Sequence, residues 1–391
     1  MPTFNLQKTE KLKKIDKIFK AFYLFPKNKK VYPSIKKDEI FNLVILGFLL
    51  IGDTIMYLPA FRIIRKNFPN AKITLVCEKA VKTILEEQGV IDDFVIIKCP
   101  WIAPVNYSFK NLFNFFSAIR IINQKKYDFA IDFRGDWRNI FYLNFIKASR
   151  KASYNFTGGE YMLTDIVTPN NNIVHFTEES LYFLQQLGCT FSDADRLPSL
   201  TSSQADSTYV ENYKIQNNLK GKLVIGVHPG TSQEVKRWDE QKYSELMIKL
   251  AAANADATFI IYEGPNERNT VAQIENELKA NNVGYIIINK TLHEYILMLS
   301  ACDLVICNDS GAAHIASAFA IPTVVIFGNV DPQYVIPYGA DIRRIISHQM
   351  ECKPCYQSFC KFGHNLCIKS VVVDEVYNGV MDIVGYSKTL V

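Results

Sequence analysis

The 391-residue sequence lacks any clean apolar run of about 18 residues, the length a membrane-crossing helix needs. Its longest apolar stretches, 42–51 and 304–327, are broken by Gly, Asp, His or Pro. The N-terminus carries lysines but no continuous apolar segment leading to a small-residue cleavage site, so a secretory signal is not expected and the chain is assigned to the cytoplasm. It also lacks a recognisable nucleic-acid-binding module, and nucleic acid is not an expected partner. Neither a disordered nor a collagen-like bias is present: 48% hydrophobic and 21% charged residues are what a folded soluble protein carries, and the length favours two domains.

Charge is unevenly spread. Residues 1–40 hold eleven Lys against four acidic residues, a balance of +7, so the overall +5 leaves −2 on the remainder. In this basic leader Leu12, Ile15, Phe19 and Phe22 recur at helical spacing with lysines between them. Such a helix suits an anionic membrane surface; it equally suits packing of its apolar stripe on the protein's own body.

Beyond the leader, residues 41–46 read as a buried parallel strand. In 52-GDTIMYLPAFRIIRKNFP-69 a Gly-Asp turn opens a helix, with Pro59 near its start and Pro69 at its end. Strands at 71–76 and 94–97 with a helix at 80–88 make this β-α-β-α-β, the pattern of a doubly wound sheet. A helix at 109–123 and a strand at 129–133 follow. The stretch 192–222 shifts to a polar composition typical of a linker. Strands at 223–227, 257–262, 285–288, 304–307 and 323–327, with helices between them, then repeat the pattern. The expected fold class is α/β with two Rossmann-like β/α/β domains facing a central cleft, the usual place for a substrate. The expected parts are a leader at 1–40, an N-terminal domain at 41–195, a linker at 196–222, a C-terminal domain at 223–370 containing a cysteine-rich loop at 352–367, and a C-terminal helix at 371–391.

Candidate chemistry gathers beyond strand ends, where open α/β sheets bind ligands. In 308-NDSGAAHIASAFAIPTVVIFG-328, strand, turn and helix follow one another, so backbone N–H groups and a helix dipole point at one spot suited to phosphate. Gly311 removes a Cβ that would hold a ligand off; Asp309 and His314 can hydrogen-bond a sugar hydroxyl. Lys236 and Arg237, close to 228-HPG-230, can neutralise a diphosphate leaving group. Asp53 can serve as a general base or merely cap its helix. Arg134 and Arg138, after the strand at 129–133, can grip an acidic substrate or simply face solvent.

Cysteine use divides in two. Cys77, Cys99, Cys189, Cys302 and Cys307 sit in apolar contexts and read as buried thiols. Cys352, Cys355, Cys360 and Cys367 form C-x2-C-x4-C-x6-C, a spacing suited to structural Zn²⁺, with His364 as a possible substitute ligand and reduced thiols packing the loop as the alternative.

Taken together, 52-GDTIMYLPA-60, 228-HPG-230, 236-KRW-238, 263-EGPNER-268 and 308-NDSGAAHIASA-318, with the cysteine-rich tail and a final helix, resemble the heptosyltransferase family of glycosyltransferases in the family's own order over roughly residues 41–385. The resemblance implies a GT-B fold and inverting transfer of a sugar, usually heptose from ADP-heptose, to a lipopolysaccharide core or related lipid-linked glycan at the inner face of the cytoplasmic membrane. It implies that Asp53 deprotonates the acceptor hydroxyl and that Gly52, Arg134 and Arg138 lie on the acceptor side. Lys236 with Arg237 would meet the diphosphate. His228, Pro229, Gly230, Asp309, Ser310, Gly311, Ala312, Ala313 and His314 would line the donor site, and Glu263 would lie near the adenosine. No redox cofactor or catalytic metal is implied, and any zinc would be structural. Two other activities fit such a fold, a nucleotide-sugar 2-epimerase and a non-catalytic nucleotide-sugar-binding module. The leader is extra to the family pattern, and Gly47-Phe48-Leu49-Leu50-Ile51 stands where the family often has a basic or polar residue.

Overall fold

The computed structural model describes residues 6–22, 35–102, 105–339 and 343–389. Contacts divide the chain into two compact units, Met1–Leu197 and Pro198–Val391. Unit 1 holds β1 (Asn42–Gly47), β2 (Lys72–Cys77), β3 (Asp93–Ile96), β4 (Tyr127–Asp132), β5 (Ala148–Tyr154) and β6 (Asp165–Val167). Unit 2 holds β7 (Leu223–His228), β8 (Ala257–Tyr262), β9 (Tyr285–Ile288), β10 (Leu304–Asn308), β11 (Thr323–Phe327) and β12 (Arg343–Ser347). The two sheets run β3-β2-β1-β4-β5-β6 and β12-β11-β10-β7-β8-β9, the same order in each, and every pairing is parallel. Strand order therefore reverses beside β1/β4 in unit 1 and beside β7/β10 in unit 2, the places where such sheets open a crevice. The α/β class with two Rossmann-like sheets is thus the observed architecture.

Burial explains the apolar runs. Every residue of β10 and β11 is buried, as a central parallel strand covered on both faces requires. The aliphatic core of unit 2 is anchored by Trp238 and Tyr243; in unit 1 Phe48, Trp101, Phe115 and Tyr142 pack as an aromatic cluster against β1 and β4.

Several expectations need correction. The helix after β1 runs Ile51–Asn67, so Gly52 and Asp53 form its first turn rather than a turn before it, and Pro59 lies in its third turn. Proline there removes one internal hydrogen bond; the surrounding residues Ile55, Leu58 and Ile63 are buried and hold the helix by packing. The polar stretch 196–222 contains a helix, Gln204–Gln216, capped by Ser203. Among its residues only Asp206 is buried, which is why its composition reads as linker.

The leader forms the helix Leu6–Phe22, and its stripe turns onto unit 1. Leu12 is buried, Ile15 packs on the Trp137, Ile140 and Met162 cluster, and Phe19 lies 5.0 Å from the Trp137 ring; the side chain of Phe22 lies outside the described residues. Asp16 accepts a hydrogen bond from Gly159 N–H at 3.0 Å, and Lys20 pairs with Glu160 at 2.9 Å. Gly158, at φ +105°, allows this approach: a Cβ there would stand 2.4 Å from the Asp16 carboxylate. Among the described residues no helix is long and apolar enough to cross a membrane.

Candidate functional site

In unit 1 the switch-point loops bring Asp53 and Arg134 together. Arg134 Nη1 donates to Asp53 Oδ2 at 3.2 Å and to the Phe48 carbonyl at 3.3 Å, and Leu50 N–H donates to the same Oδ2 at 3.4 Å. Asp53 therefore stands at the third helical position, facing backbone N–H groups and the positive end of the dipole, rather than at the cap itself. Burial works against the Arg134 charge, yet Asp53, Tyr57, Asp136 and Asp132 outweigh it and hold the guanidinium more basic than usual. Gly52 is half-buried beside it.

The loop carrying Arg134 is fixed from below by a residue that the sequence reading did not single out. Asp132, fully buried, accepts from Gly135 N–H at 3.0 Å, Ser153 Oγ at 2.7 Å and Asn139 Nδ2 at 2.8 Å. Burial raises its pKa, and these three bonds partly offset that. Arg138 has other partners: it pairs with Asp136, donates to Tyr107 Oη at 2.8 Å and lies 5.2 Å over the Trp101 ring.

In unit 2 the same two loops form a tighter set. Lys236 Nζ donates to Asp309 Oδ2 at 2.6 Å, with the carboxylate buried and the ammonium mostly so. Asn308, at the end of β10, ties the loops together: its Nδ2 donates to the Pro229 carbonyl at 2.7 Å and its Oδ1 accepts from Trp238 N–H at 3.0 Å. Trp238, fully buried, donates in turn to the Val371 carbonyl at 3.0 Å. The KRW motif thus has two parts, an indole that anchors the loop and two cations presented from it. Arg237 Nε is buried and has no hydrogen-bond partner among the described residues, so it is a donor available to an anion.

Ser310 stands at the N-cap position of the helix Gly311–Ala318 without a side-chain capping bond, so the first N–H groups of that helix lack partners within it. His228 Nδ1 lies 3.3 Å from Ser310 Oγ, and its Nε2 lies 3.4 Å from Glu267 Oε2. Ala312, Ala313 and His314 are buried in the body of this helix. Glu263 does not join the group: it is held by Asn289 at 2.5 Å and Arg268 at 3.1 Å. Its neighbour in the same EGPNER motif does, since Glu267 also accepts from Gly264 N–H at 2.8 Å. Burial opposes the Glu267 charge, and His228, Gly264 and Arg237 more than compensate, so its pKa falls. Gly230 makes this possible, because a Cβ there would lie 1.8 Å from the Glu267 carboxylate.

The cysteine-rich loop offers soft donors without a closed set. Cys352, Cys355, Cys360 and Cys367 are free and partly exposed. Among the described residues no three of their Sγ atoms lie within 4.8 Å of one another. Backbone N–H groups, led by that of Asn365, lower the Cys360 pKa, while burial and the three neighbouring thiols raise that of Cys367. As folded, the loop does not assemble the tetrahedral thiolate cage that zinc takes.

Two Rossmann-like sheets each carry an ion pair at the switch point, and in unit 2 that pair lies near a helix N-terminus and a guanidine Nε with no partner among the described residues, an arrangement chemically suited to an anion. The comparisons narrow the class. The model of glycosyltransferase family 9 (heptosyltransferase) matches residues 115–366, and the chain belongs to that family of glycosyltransferases. It is 25% identical over 333 residues to lipooligosaccharide heptosyltransferase 2 of Campylobacter jejuni, covering 83% of this chain and 93% of that one. Against lipopolysaccharide heptosyltransferase 3 of Escherichia coli it is 23% identical over 298 residues, 74% of this chain and 84% of the other. Two solved structures share the fold. A glycosyl transferase family 9 protein from Veillonella parvula aligns with a TM-score of 0.72 at 17% identity, covering 90% of this chain and 98% of that one. The E. coli ADP-heptose lps heptosyltransferase II aligns at 0.71 and 16%, covering 89% and 100%.

Proposed function

We propose that this glycosyltransferase moves a heptose from ADP-heptose to a saccharide of the lipopolysaccharide core, with inversion at the anomeric carbon and at the cytoplasmic face of the membrane that holds the acceptor lipid. The observation that carries the reading is the cationic set of unit 2: Lys236 beside Asp309, the unpartnered Arg237 Nε, and the N-terminus of the helix Gly311–Ala318. These groups suit a diphosphate whose charge grows as it leaves. The names of the two relatives from Campylobacter jejuni and Escherichia coli, both heptosyltransferases, support the sugar and the acceptor class.

In this mechanism the acceptor hydroxyl gives its proton to Asp53 and its oxygen attacks the anomeric carbon. Both protein contacts to Asp53 fall on Oδ2, so Oδ1 is the oxygen that takes the proton. The bond from the anomeric carbon to the β-phosphate oxygen breaks, and ADP leaves with the electron pair against Lys236, Arg237 and the helix N–H groups. Arg134 holds the Asp53 carboxylate in place. Glu267, rather than Glu263, is the carboxylate of EGPNER that serves the donor site through His228. In this reading the charge on the leaving group is met by side chains and backbone.

The test is a donor panel of ADP-, UDP- and GDP-heptose and ADP-hexoses, each measured for binding and for transfer to heptose-deficient lipopolysaccharide. ADP-heptose should bind and transfer. Donor consumed equally without acceptor would instead indicate an epimerase, and binding without turnover a non-catalytic module.

A further inference from the structure

The exposed phenylalanines of unit 1 take no part in the proposed transfer. Helix Phe109–Ile122, capped by Ser108, buries Phe115, Ala118 and Ile122 in the unit's core. Its other side carries Phe109 at 86% exposure, Phe113 at 64%, and Phe116 and Ile121, also exposed. Positions 109, 113 and 116 follow helical spacing and share one face. The apolar surface continues off this helix. The Phe116 ring lies 6.2 Å from exposed Phe145 and 6.4 Å from Phe141, and Phe141 lies 5.6 Å from Phe19 of the leader helix, itself 41% exposed. Three helices thus contribute to one run of aromatic rings.

The charge around this run is predominantly positive. Residues 105–127 contain no Asp or Glu, and neither do residues 137–151. Exposed cations come from both, Lys110, Arg120 and Lys126 from the first and Lys147 from the second. The leader helix adds Lys11, Lys13, Lys14 and Lys17, all exposed. Since its own apolar stripe is spent on Trp137 and Ile140, the leader supplies charge to this surface more than it supplies grease. A solvated apolar face on helices rich in exposed cations matches a membrane interface with anionic headgroups, where aromatic rings enter the headgroup boundary and lysines meet phosphate.

We propose that this face, Phe109, Phe113, Phe116 and Phe145 with the leader lysines, docks unit 1 on an anionic lipid bilayer. The proposal rests on the reading of the acceptor as lipid-linked, and it names the surface by which an enzyme would lie on the membrane that holds such an acceptor.

The experiment is co-sedimentation of the full chain with vesicles of phosphatidylcholine containing phosphatidylglycerol, and with vesicles of phosphatidylcholine alone. The wild type should sediment with the anionic vesicles and far less with the neutral ones. Phe109→Ser with Phe113→Ser should lower partitioning about tenfold or more while circular dichroism is unchanged. Lys13→Glu with Lys14→Glu and Lys17→Glu should lower binding to the anionic vesicles by a similar or larger factor. Wild-type binding by the phenylalanine variant, or equal binding to both vesicle types, overturns the proposal. So does a self-association of the wild type that the phenylalanine variant abolishes without any change in vesicle binding, which would make the face a contact between copies. Transfer to a water-soluble core oligosaccharide is measured alongside. Transfer without vesicle binding defeats the docking surface and leaves the proposed function standing; vesicle binding without transfer does the reverse.

Discussion

In unit 1 the carboxylate of the switch-point pair, Asp53, follows the first strand of the sheet and its cation, Arg134, follows the fourth; in unit 2 the cation, Lys236, follows the first strand and the carboxylate, Asp309, follows the fourth. The pair also differs in tightness, 3.2 Å against 2.6 Å. Strand order is the same in both, so the backbone offers the same crevice twice and the side chains decide its use. Asp53 sits in the first turn of its own helix, facing the positive end of the dipole. In unit 2 the helix N-terminus is left to a ligand, with Lys236 and Arg237 adding positive charge. In the proposed reading one fold thus serves as base in one unit and as anion cradle in the other.

Breaking the two pairs separately tests this division. Asp53→Asn should lower transfer about 10³-fold, within the usual range for a lost general base, while ADP affinity measured by calorimetry stays within about twofold of wild type. Lys236→Met should lower transfer about 10²-fold and weaken ADP binding as well, because its charge meets the diphosphate in the ground state and more strongly as the bond breaks. If both variants lost ADP affinity equally, the contrast between the units would collapse.

Much of this was legible before any coordinates. Strands β1, β2, β7, β8, β10 and β11 are buried on both faces and spell continuous apolar runs, and their following loops hold Gly, Asp, Lys and His in a recognisable order. Strands β5 and β6 were not foreseen. The β5 sequence, ASRKASY, is half-exposed over its first four residues and β6 is three residues long, so neither produces an apolar run. Supporting residues were also hidden. Asp132 looks like the end of a strand, and Asn308 like the first residue of a cap, until their three-dimensional partners are known. Glu267 was passed over for Glu263 because both lie in EGPNER; only the approach of Gly230 to one of them separates the two.

That approach gives the next test of unit 2. Gly230→Ala would place a methyl group against the Glu267 carboxylate and push it away from His228. Donor KM should rise about tenfold with a smaller change in kcat, since the displaced groups bind the donor rather than stabilise the leaving charge. Glu267→Gln should partly relieve the double variant, because the amide no longer demands its ion pair. No relief would mean that the glycine serves the loop backbone instead of the Glu267 contact.

The smallest expected effect compares half-buried carboxylates in the two units. Glu267 has His228 and a backbone N–H and is held below its usual range; Glu179, on the helix Phe176–Gln186, is pushed up to about 7 by burial. The signs of their pH linkage are therefore opposite. Folded Glu179 binds a proton that the unfolded chain has already released between pH 4.5 and about 7, so stability falls as pH rises through that window and levels off above it. Glu267 contributes stability above its unfolded pKa and loses it as pH falls through its lower folded value. Glu179→Gln should therefore gain on wild type by about 1–3 kcal/mol between pH 5 and pH 8, whereas Glu267→Gln should run nearly parallel to wild type over that interval and regain ground only in more acid solution, below the unfolded carboxyl pKa. Thermal melts of the three proteins at both pH values read the difference directly. A Glu179→Gln curve parallel to wild type would show that this carboxyl is solvated in the folded protein and that burial in unit 1 does not hold it protonated.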